Sequence, residues 1–575
     1  MKNIRIPIVL FCLLIAVFLA LAARCFSLQY FKDDYYSTAC DRQQQAVAKI
    51  LPQRGVILDC RGRVLAASKE LQTVFAEPRV LQDPKDTSNE LSPILDMGAH
   101  VICKAITNSA NPGFAKISSG IDPNQAAAAS RVRGVGVESD WQRHYPMGPL
   151  ASQIVGFTSA DNRGLAGVEL EYDKDLAGSA GRNVFIADAF RRPIRLRRHD
   201  ADVTDGVGII LTLDSTIQQF ARAELLEQYQ NYRAESAIAI VAEPKTGAIL
   251  AMVSLPDFDP ATFNTADPNT LRNRAITDQF EPGSLIKPIV MAIAVDDKTI
   301  SLTEKIFCEN GSYCGKGFGC ISEYREGFGE LSVREVLVKS SNIGMAKVGQ
   351  RMGKYNLYNG LKLFGFGKET GIDLPGEASG LLWPPQKWTG YSVTRIPFGQ
   401  EITVTAIQLV KGFCMLANGG RPVRPHLVRA IVDNEGDIVK MTRASPPVGY
   451  CVSPEVARWI VTEAMTGVVN EGTGKKAKLK KWQVFGKTGT ANIAKSGERG
   501  YAEHEYIASF IAGAPAENPA VIVLVSIRKP DVSLGKGYTG GAVAAPVAGK
   551  ILEKTLTYLE SRRTPDSQTG LLAAK

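Results

Sequence analysis

Three short blocks hold residue types that could carry out covalent catalysis: Ser284-Leu285-Ile286-Lys287, Ser340-Ser341-Asn342 and Lys487-Thr488-Gly489-Thr490. Pro282-Gly283 interrupts the chain before the first, and Leu285 to Val295 then runs apolar, as a buried helix would. Ser284 stands at the start of that helix, where free backbone N–H groups and the helix dipole favour developing negative charge. Lys287 lies one turn along the same face, so its amine can reach the serine oxygen. A serine hydroxyl needs such a base, and a lysine serves once desolvation and nearby cations lower its pKa. Alone, the block reads more readily as a helix cap followed by a solvated lysine.

The second block falls within Leu331 to Val348, a stretch with helical spacing. Serine and asparagine inside a helix compete for backbone hydrogen bonds, so a polar triplet there needs a use; a plain helix junction is the other reading. The third block follows Trp482 to Gly486 and reads as a strand. Gly489 permits close backbone approach, so another peptide can lie alongside as an added strand. Lys487 brings positive charge, and the Thr488 and Thr490 hydroxyls can bind a carboxylate. An ordinary edge strand with a glycine kink fits the same residues.

The elements that must position these blocks begin near residue 206. Leu211-Thr212-Leu213-Asp214 ends a strand, and Asp214 or Ser215 caps a helix from Thr216 to Tyr229. Ala237 to Ala242 and Ala248 to Ser254 read as strands around the turn Pro244-Lys245-Thr246-Gly247. Tyr506 to Ala512 and Ala520 to Ile527 read as two more, and Gly541 to Leu559 as a closing helix. The order implies an α/β (α+β) sandwich of helices on an antiparallel sheet. Residues 30 to 205 hold short apolar runs broken by turns, which fits a β-rich domain.

At 575 residues the chain needs more than one domain, and its 45% hydrophobic and 22% charged content is that of a globular protein. The net charge is +9, with basic runs at Arg191-Arg192, Arg195, Arg197 and Arg198, and at five lysines between Lys475 and Lys481. Neither run has the interleaved aromatics of a nucleic-acid surface; they suit solvated loops or a face near anionic lipid or wall polymer. After Lys2 and Arg5, Ile6 to Ala23 gives 18 uncharged, mostly apolar positions before Arg24. That spans roughly 27 Å of helix, near the thickness of a bilayer core. A cleaved signal peptide competes, with Ala20-Leu21-Ala22 as a cleavage site, but the stretch exceeds the usual apolar length. An uncleaved anchor with a cytoplasmic N-terminus and exported bulk follows from the cations of the short tail. Cys12 lies in the anchor segment and Cys25 at its edge, which leaves eight of the ten cysteines beyond, a number that permits disulfides without establishing one. Cys308, Cys314 and Cys320 could close a small loop, and their spacing of six is wrong for a zinc site. No G-x-S-x-G elbow and no H-E-x-x-H motif occurs, and Cys414 and His426 read as structural.

The three blocks in this order resemble the penicilloyl-serine signature of penicillin-binding proteins and serine β-lactamases. Class B penicillin-binding proteins are resembled further by Arg54 to Ala66, Arg143-His144-Tyr145-Pro146-Met147-Gly148 through Gly167-Val168-Glu169, Thr370 to Glu377 and Phe398-Gly399-Gln400-Glu401. The resemblance runs from about residue 10 to 560. It implies a β-lactamase/transpeptidase-like sandwich with a β-rich N-terminal pedestal and one transmembrane helix. The corresponding segments are a cytoplasmic tail 1–5, an anchor 6–24, a dimerisation or pedestal domain 25–205, a transpeptidase domain 206–560 and a loose tail 561–575. By the same resemblance, Ser284 is the nucleophile, Lys287 its base, and Ser340 the relay to the leaving amine. Asn342, Lys487, Thr488, Gly489 and Thr490 bind substrate, and the backbone N–H groups of Ser284 and Thr490 form the oxyanion hole. The implied reaction cross-links peptidoglycan stem peptides on lipid-linked nascent glycan, is blocked by β-lactams and needs no metal or organic cofactor.

The form Lys487 to Ala491 and the segment Phe398 to Glu401 resemble the septal, division-specific branch more than the elongation branch. A membrane glycan polymerase and division proteins are then the implied partners, at the cytoplasmic membrane. The alternatives are an elongation-type transpeptidase, a β-lactam-hydrolysing or sensing relative, and a non-enzymatic division scaffold. Leu285-Ile286 replaces the small-or-polar plus aromatic pair usual in the family, which could reshape the wall of the lysine pocket.

Overall fold

The computed structural model describes residues 5–31, 35–36, 45–187, 193–324, 327–442, 449–495, 497 and 500–562. The tail 1–4, Arg191-Arg192 and residues 563–575 lie outside them. Two compact units emerge, one of Met1–Gln53 with Gly178–Asp205, the other of Arg54–Ala177 with Gly206–Lys575.

In the first unit, the helix Arg5–Phe26 runs into a wider turn, Ser27–Phe31. Ile6–Tyr30 is 25 residues whose most apolar 18-residue window has mean hydropathy 3.0 and is unburied, long and apolar enough to cross a membrane. It extends past the expected end at residue 24, because Arg24 sits in the last turn without ending the helix. The same unit has a three-stranded antiparallel sheet of Gln45–Ile50, Gly181–Ala187 and Pro193–Ala201.

The second unit is organised by a five-stranded antiparallel sheet, in the order Ile249–Leu255, Ser236–Ala242, Val521–Arg528, Tyr501–Ala514 and Phe485–Ala494. Every residue of Ser236–Ala242 is buried, so the strand reads as continuous apolar sequence rather than alternation. Its two faces serve different cores. Ala237, Ala239 and Val241 pack with Ile217, Ala221 and Leu225 of the helix Ser215–Asn231, and with Val547 and Ile551 of the helix Ala545–Ser561. Ile238 and Ile240 face Leu285, Ile289 and Val290, and Ile407 and Val410 of the helix Ala406–Ala417. Asp214 caps Ser215–Asn231 by accepting from Thr216 N.

A seven-stranded sheet joins strands from both sides of residue 205. Ile438–Met441, Val428–Val432 and Gly208–Leu211 continue through Ile57–Leu58 and Val64–Ala76 to Ala115–Ile121, with Val135–His144 also paired to Val64–Ala76. No composition shift at 205 could reveal this, since Gly208–Leu211 and Ile57–Leu58 pair in parallel across 150 residues of chain. The two family-like pedestal stretches meet here. Glu169 accepts from Arg54 Nε and Arg143 Nε, both at 2.6 Å, and Arg54 also bonds Asp173 at 2.7 Å.

Candidate active site

Ser284 lies in a 3-10 turn, Gly283–Ile286, that leads directly into the helix Lys287–Asp296. Gly283 adopts φ +51°, and a Cβ there would come within 3.2 Å of the Thr490 carbonyl oxygen. The turn therefore packs on the edge strand Phe485–Ala494. Gly489 makes this possible, because a Cβ on it would meet Leu285 Cγ at 2.7 Å. Leu285 and Ile286 are fully buried, so the unusual pair fills the floor beneath the strand. From the other side, Gly283 N donates to Gly399 O at 3.2 Å, which places the Phe398-Gly399-Gln400-Glu401 segment against the nucleophile turn.

The triplet Ser340-Ser341-Asn342 is a junction between two helices, not the interior of one. Val333–Val338 ends before it, and Asn342–Leu363 begins after it with Ser341 as N-cap, accepting from Gly344 N. Ser340 itself has φ +62°, a left-handed conformation that costs a non-glycine residue about 1–2 kcal/mol. The helical spacing from Leu331 to Val348 was real on both sides. What broke it is the preference of serine and asparagine side chains for capping backbone donors at a helix start.

The junction turns its polar atoms onto two lysines. Lys287 Nζ lies 2.6 Å from Ser340 O, 2.8 Å from Asn342 Oδ1 and 3.3 Å from Ser340 Oγ. Lys487 Nζ lies 2.8 Å from the same Ser340 Oγ and 3.1 Å from Thr488 O. Both lysines are fully buried. Among the described residues neither amine has a carboxylate within ion-pair distance. Burial brings the Lys287 amine down to about 7, with the Glu323 carboxylate pulling the other way. Burial also pushes Lys487 well down, helped by repulsion from Lys287. A neutral Lys287 has a lone pair, so it can accept the Ser340 O–H that it now faces. None of its hydrogen bonds among the described residues goes to Ser284 Oγ, although the serine precedes it by one turn.

On the strand, the Thr490 hydroxyl accepts from Gly540 N at 3.1 Å, which leaves its O–H free to donate. The Thr488 hydroxyl is 2.6 Å from that of Thr473, in a residue only 8% exposed. Asn342 Nδ2 donates to Ser322 O at 3.2 Å, using one of its two hydrogens. Two buried lysine amines thus share the Ser340 hydroxyl, and buried amines of lowered pKa are candidates for proton transfer.

Sequence reasoning missed Glu323 and Glu281. Glu323 accepts from Ser341 Oγ, from Asn342 N at 2.8 Å and from Ile343 N at 3.2 Å. Glu281 accepts from Glu401 N at 3.0 Å and Tyr501 Oη at 2.9 Å, and burial raises its pKa. The expected small loop is real: Cys314 and Cys320 are bonded, and Cys308 is buried beside Ser341 at 3.4 Å. Cys414 is buried, as expected of a small hydrophobe.

Comparison with known proteins gives this geometry its context. Residues 237–553 match the penicillin binding protein transpeptidase domain, and residues 49–211 match the penicillin-binding protein dimerisation domain. Stage V sporulation protein D of Bacillus subtilis is 36% identical over 517 residues, covering 88% of this chain and 78% of the relative. The peptidoglycan D,D-transpeptidase FtsI of Escherichia coli K12 is 30% identical over 572 residues, covering 97% of this chain and 92% of the relative. Among solved structures, penicillin binding protein 2X from Streptococcus thermophilus superposes with a TM-score of 0.76 at 22% identity, covering 89% and 80% of the two chains. Penicillin binding protein 3 from Mycobacterium tuberculosis, complexed with aztreonam, gives 0.70 at 25% identity, with 89% and 97% covered.

Proposed function

Since the chain belongs to the class B penicillin-binding proteins and is a peptidoglycan D,D-transpeptidase, we propose that Ser284 is its nucleophile and that it works in septal cell-wall synthesis. The observation that supports the assignment of roles is the Ser340 hydroxyl held between two buried lysine amines, of which Lys287 lies one turn after Ser284. In the first half-reaction Lys287 takes the Ser284 proton while the oxygen attacks the carbonyl of the penultimate D-alanine. The backbone N–H groups of Ser284 and Thr490 receive the charge that develops on the carbonyl oxygen. Ser340 passes a proton to the amine of the departing D-alanine, leaving an ester on Ser284. An amine of a neighbouring stem peptide then attacks that ester, and a cross-link closes as Ser284 regains its proton.

Asn342 orients the substrate amide, and Gly489 lets the stem peptide lie along the edge strand. The terminal carboxylate meets Thr490, Thr488 and Lys487, whose burial-depressed amine gains its proton as the anion arrives. Within this reading, residues 25–205 form the pedestal, 206–560 the transpeptidase domain and 561–575 a tail. The N-terminal helix anchors the chain in the cytoplasmic membrane with residues 1–5 inside and the bulk outside. Lipid-linked nascent glycan from a membrane polymerase is the substrate, and division proteins are the partners. The Lys487 to Ala491 form and the resemblance to FtsI support the septal role. The 36% identity to a sporulation protein favours a second reading, a sporulation-specific wall synthase.

Intact mass spectrometry of the full chain after a labelled β-lactam tests the chemistry. One adduct per chain is expected, mapped to Ser284 and lost in Ser284→Ala. An adduct elsewhere, or none, overturns it. Depletion separates the two roles: filaments without septa support the septal one, and normal division with defective spores supports the other.

A further inference from the structure

The junction that presents Ser340 has a support outside its own helix. The hairpin Ser312–Gly315 and Gly319–Ser322, closed by the Cys314–Cys320 bond, ends next to Glu323. That carboxylate takes hydrogen bonds from Ser341 Oγ, Asn342 N and Ile343 N, while Ser322 O takes one from Asn342 Nδ2. Three bonds reach the cap and first turn of Asn342–Leu363, a helix kinked at Gly353, whose free N–H groups attract negative charge. The residues so fixed directly follow Ser340, which holds a left-handed backbone that its own type does not favour.

We propose that Glu323 is a positioning residue for acylation: its carboxylate, brought in by the hairpin, caps Asn342–Leu363 and thereby holds Ser340 and Asn342 on the Lys287 amine. The inference rests on the reading that Lys287 activates Ser284. Two consequences follow from the geometry. Without the carboxylate, Ser341 and the helix start lose their acceptor, and Ser340 and Asn342 drift from the amine. Without its charge, the buried lysine loses its nearest negative neighbour and gives up its proton at lower pH, since Glu323 works against the effect of burial there.

Among the described residues, other titratable groups border this cluster. Lys487 faces Lys287 from the edge strand. Cys308 lies behind Ser341, its thiol pushed up by burial and therefore silent near neutral pH. Lys347 is paired with Glu309.

The test uses the full chain in detergent and a fluorescent penicillin, with the second-order acylation rate followed across the neutral pH range. The parent should show a rate that rises with pH as Lys287 becomes neutral. Glu323→Gln keeps an acceptor oxygen but removes the charge, and its rising limb should move to lower pH by about half a unit or more. Glu323→Ala should lose about 10-fold or more of the plateau rate, as small misplacements of reacting groups do. A Glu323→Gln limb that coincides with the parent's, or a Glu323→Ala plateau equal to the parent's, overturns the proposal. The limb decides even where Glu323→Ala does not fold. Failure of the parent to label at Ser284 would instead remove the catalytic reading itself.

Discussion

Arg54 and Glu169 are buried as deeply as Lys287 and Lys487, at 1% and 0% exposed against 0% for both lysines, yet the two sites treat charge in opposite ways. Around Glu169 each carboxylate oxygen meets a guanidinium, and Arg54 has Asp173 besides, so two positive charges face two negative ones. Around Ser340 two amines share one hydroxyl without a paired carboxylate, and burial lowers both their pKa values. A buried charge that is matched stays put and fixes structure. A buried charge that is unmatched is ready to leave as a proton, which is what a general base requires. The contrast is what the proposed division of labour requires, with chemistry in one cluster and architecture in the other.

The largest effect that could break this contrast is on rate. Lys287→Met should lower acylation by a labelled β-lactam about 10²–10⁴-fold, the usual worth of a general base. Retention of most of the rate would shift the base to Lys487 and undo the assignment. Next comes stability. Glu169→Gln leaves the buried Arg143 facing a neutral group, and breaking such a buried pair costs about 3–5 kcal/mol. A clear fall in melting temperature is expected, with the acylation rate per folded molecule unchanged. A variant that melts like the parent but acylates slowly would mean that the Glu169 cluster acts on the site and not only on the fold.

The candidate reacting groups could be picked from the sequence because their spacing is local. Ser284 and Lys287 need only a helical turn, Lys487 to Thr490 only a strand, and Asp214 only the donor two residues on. The support of Ser340 was not legible. Its left-handed backbone follows from a cap that Ser341 supplies and Glu323 reinforces from 18 residues upstream, through a hairpin of weak apolar pattern. The shared sheet across residue 205 escaped for the same reason, since Ile57–Leu58 is too short to announce itself and pairs with Gly208–Leu211 only in the folded chain. The closest signal to Glu323 was the Cys314 and Cys320 pair, which marks a closed loop but not the acid that follows it.

A further effect separates the clusters by pH. Lys287 in the folded chain holds its proton only below about 7, whereas an unfolded lysine holds it up to about 10.4. Between those values the unfolded state binds more protons at this position, so the stability contribution rises with pH. The penalty for burying the amine is complete below the folded value and vanishes above the unfolded one. Lys287→Met lacks this dependence, and it also frees Lys487 from a repulsion that depresses its pKa, which flattens the variant further. The stability of the parent minus that of Lys287→Met should therefore grow from neutral pH toward about pH 10, measured by paired melting curves. A difference that stays flat would mean that the folded protein keeps Lys287 charged. The amine would then match an anion as Arg54 does, and the Ser284 proton would have to leave by another route.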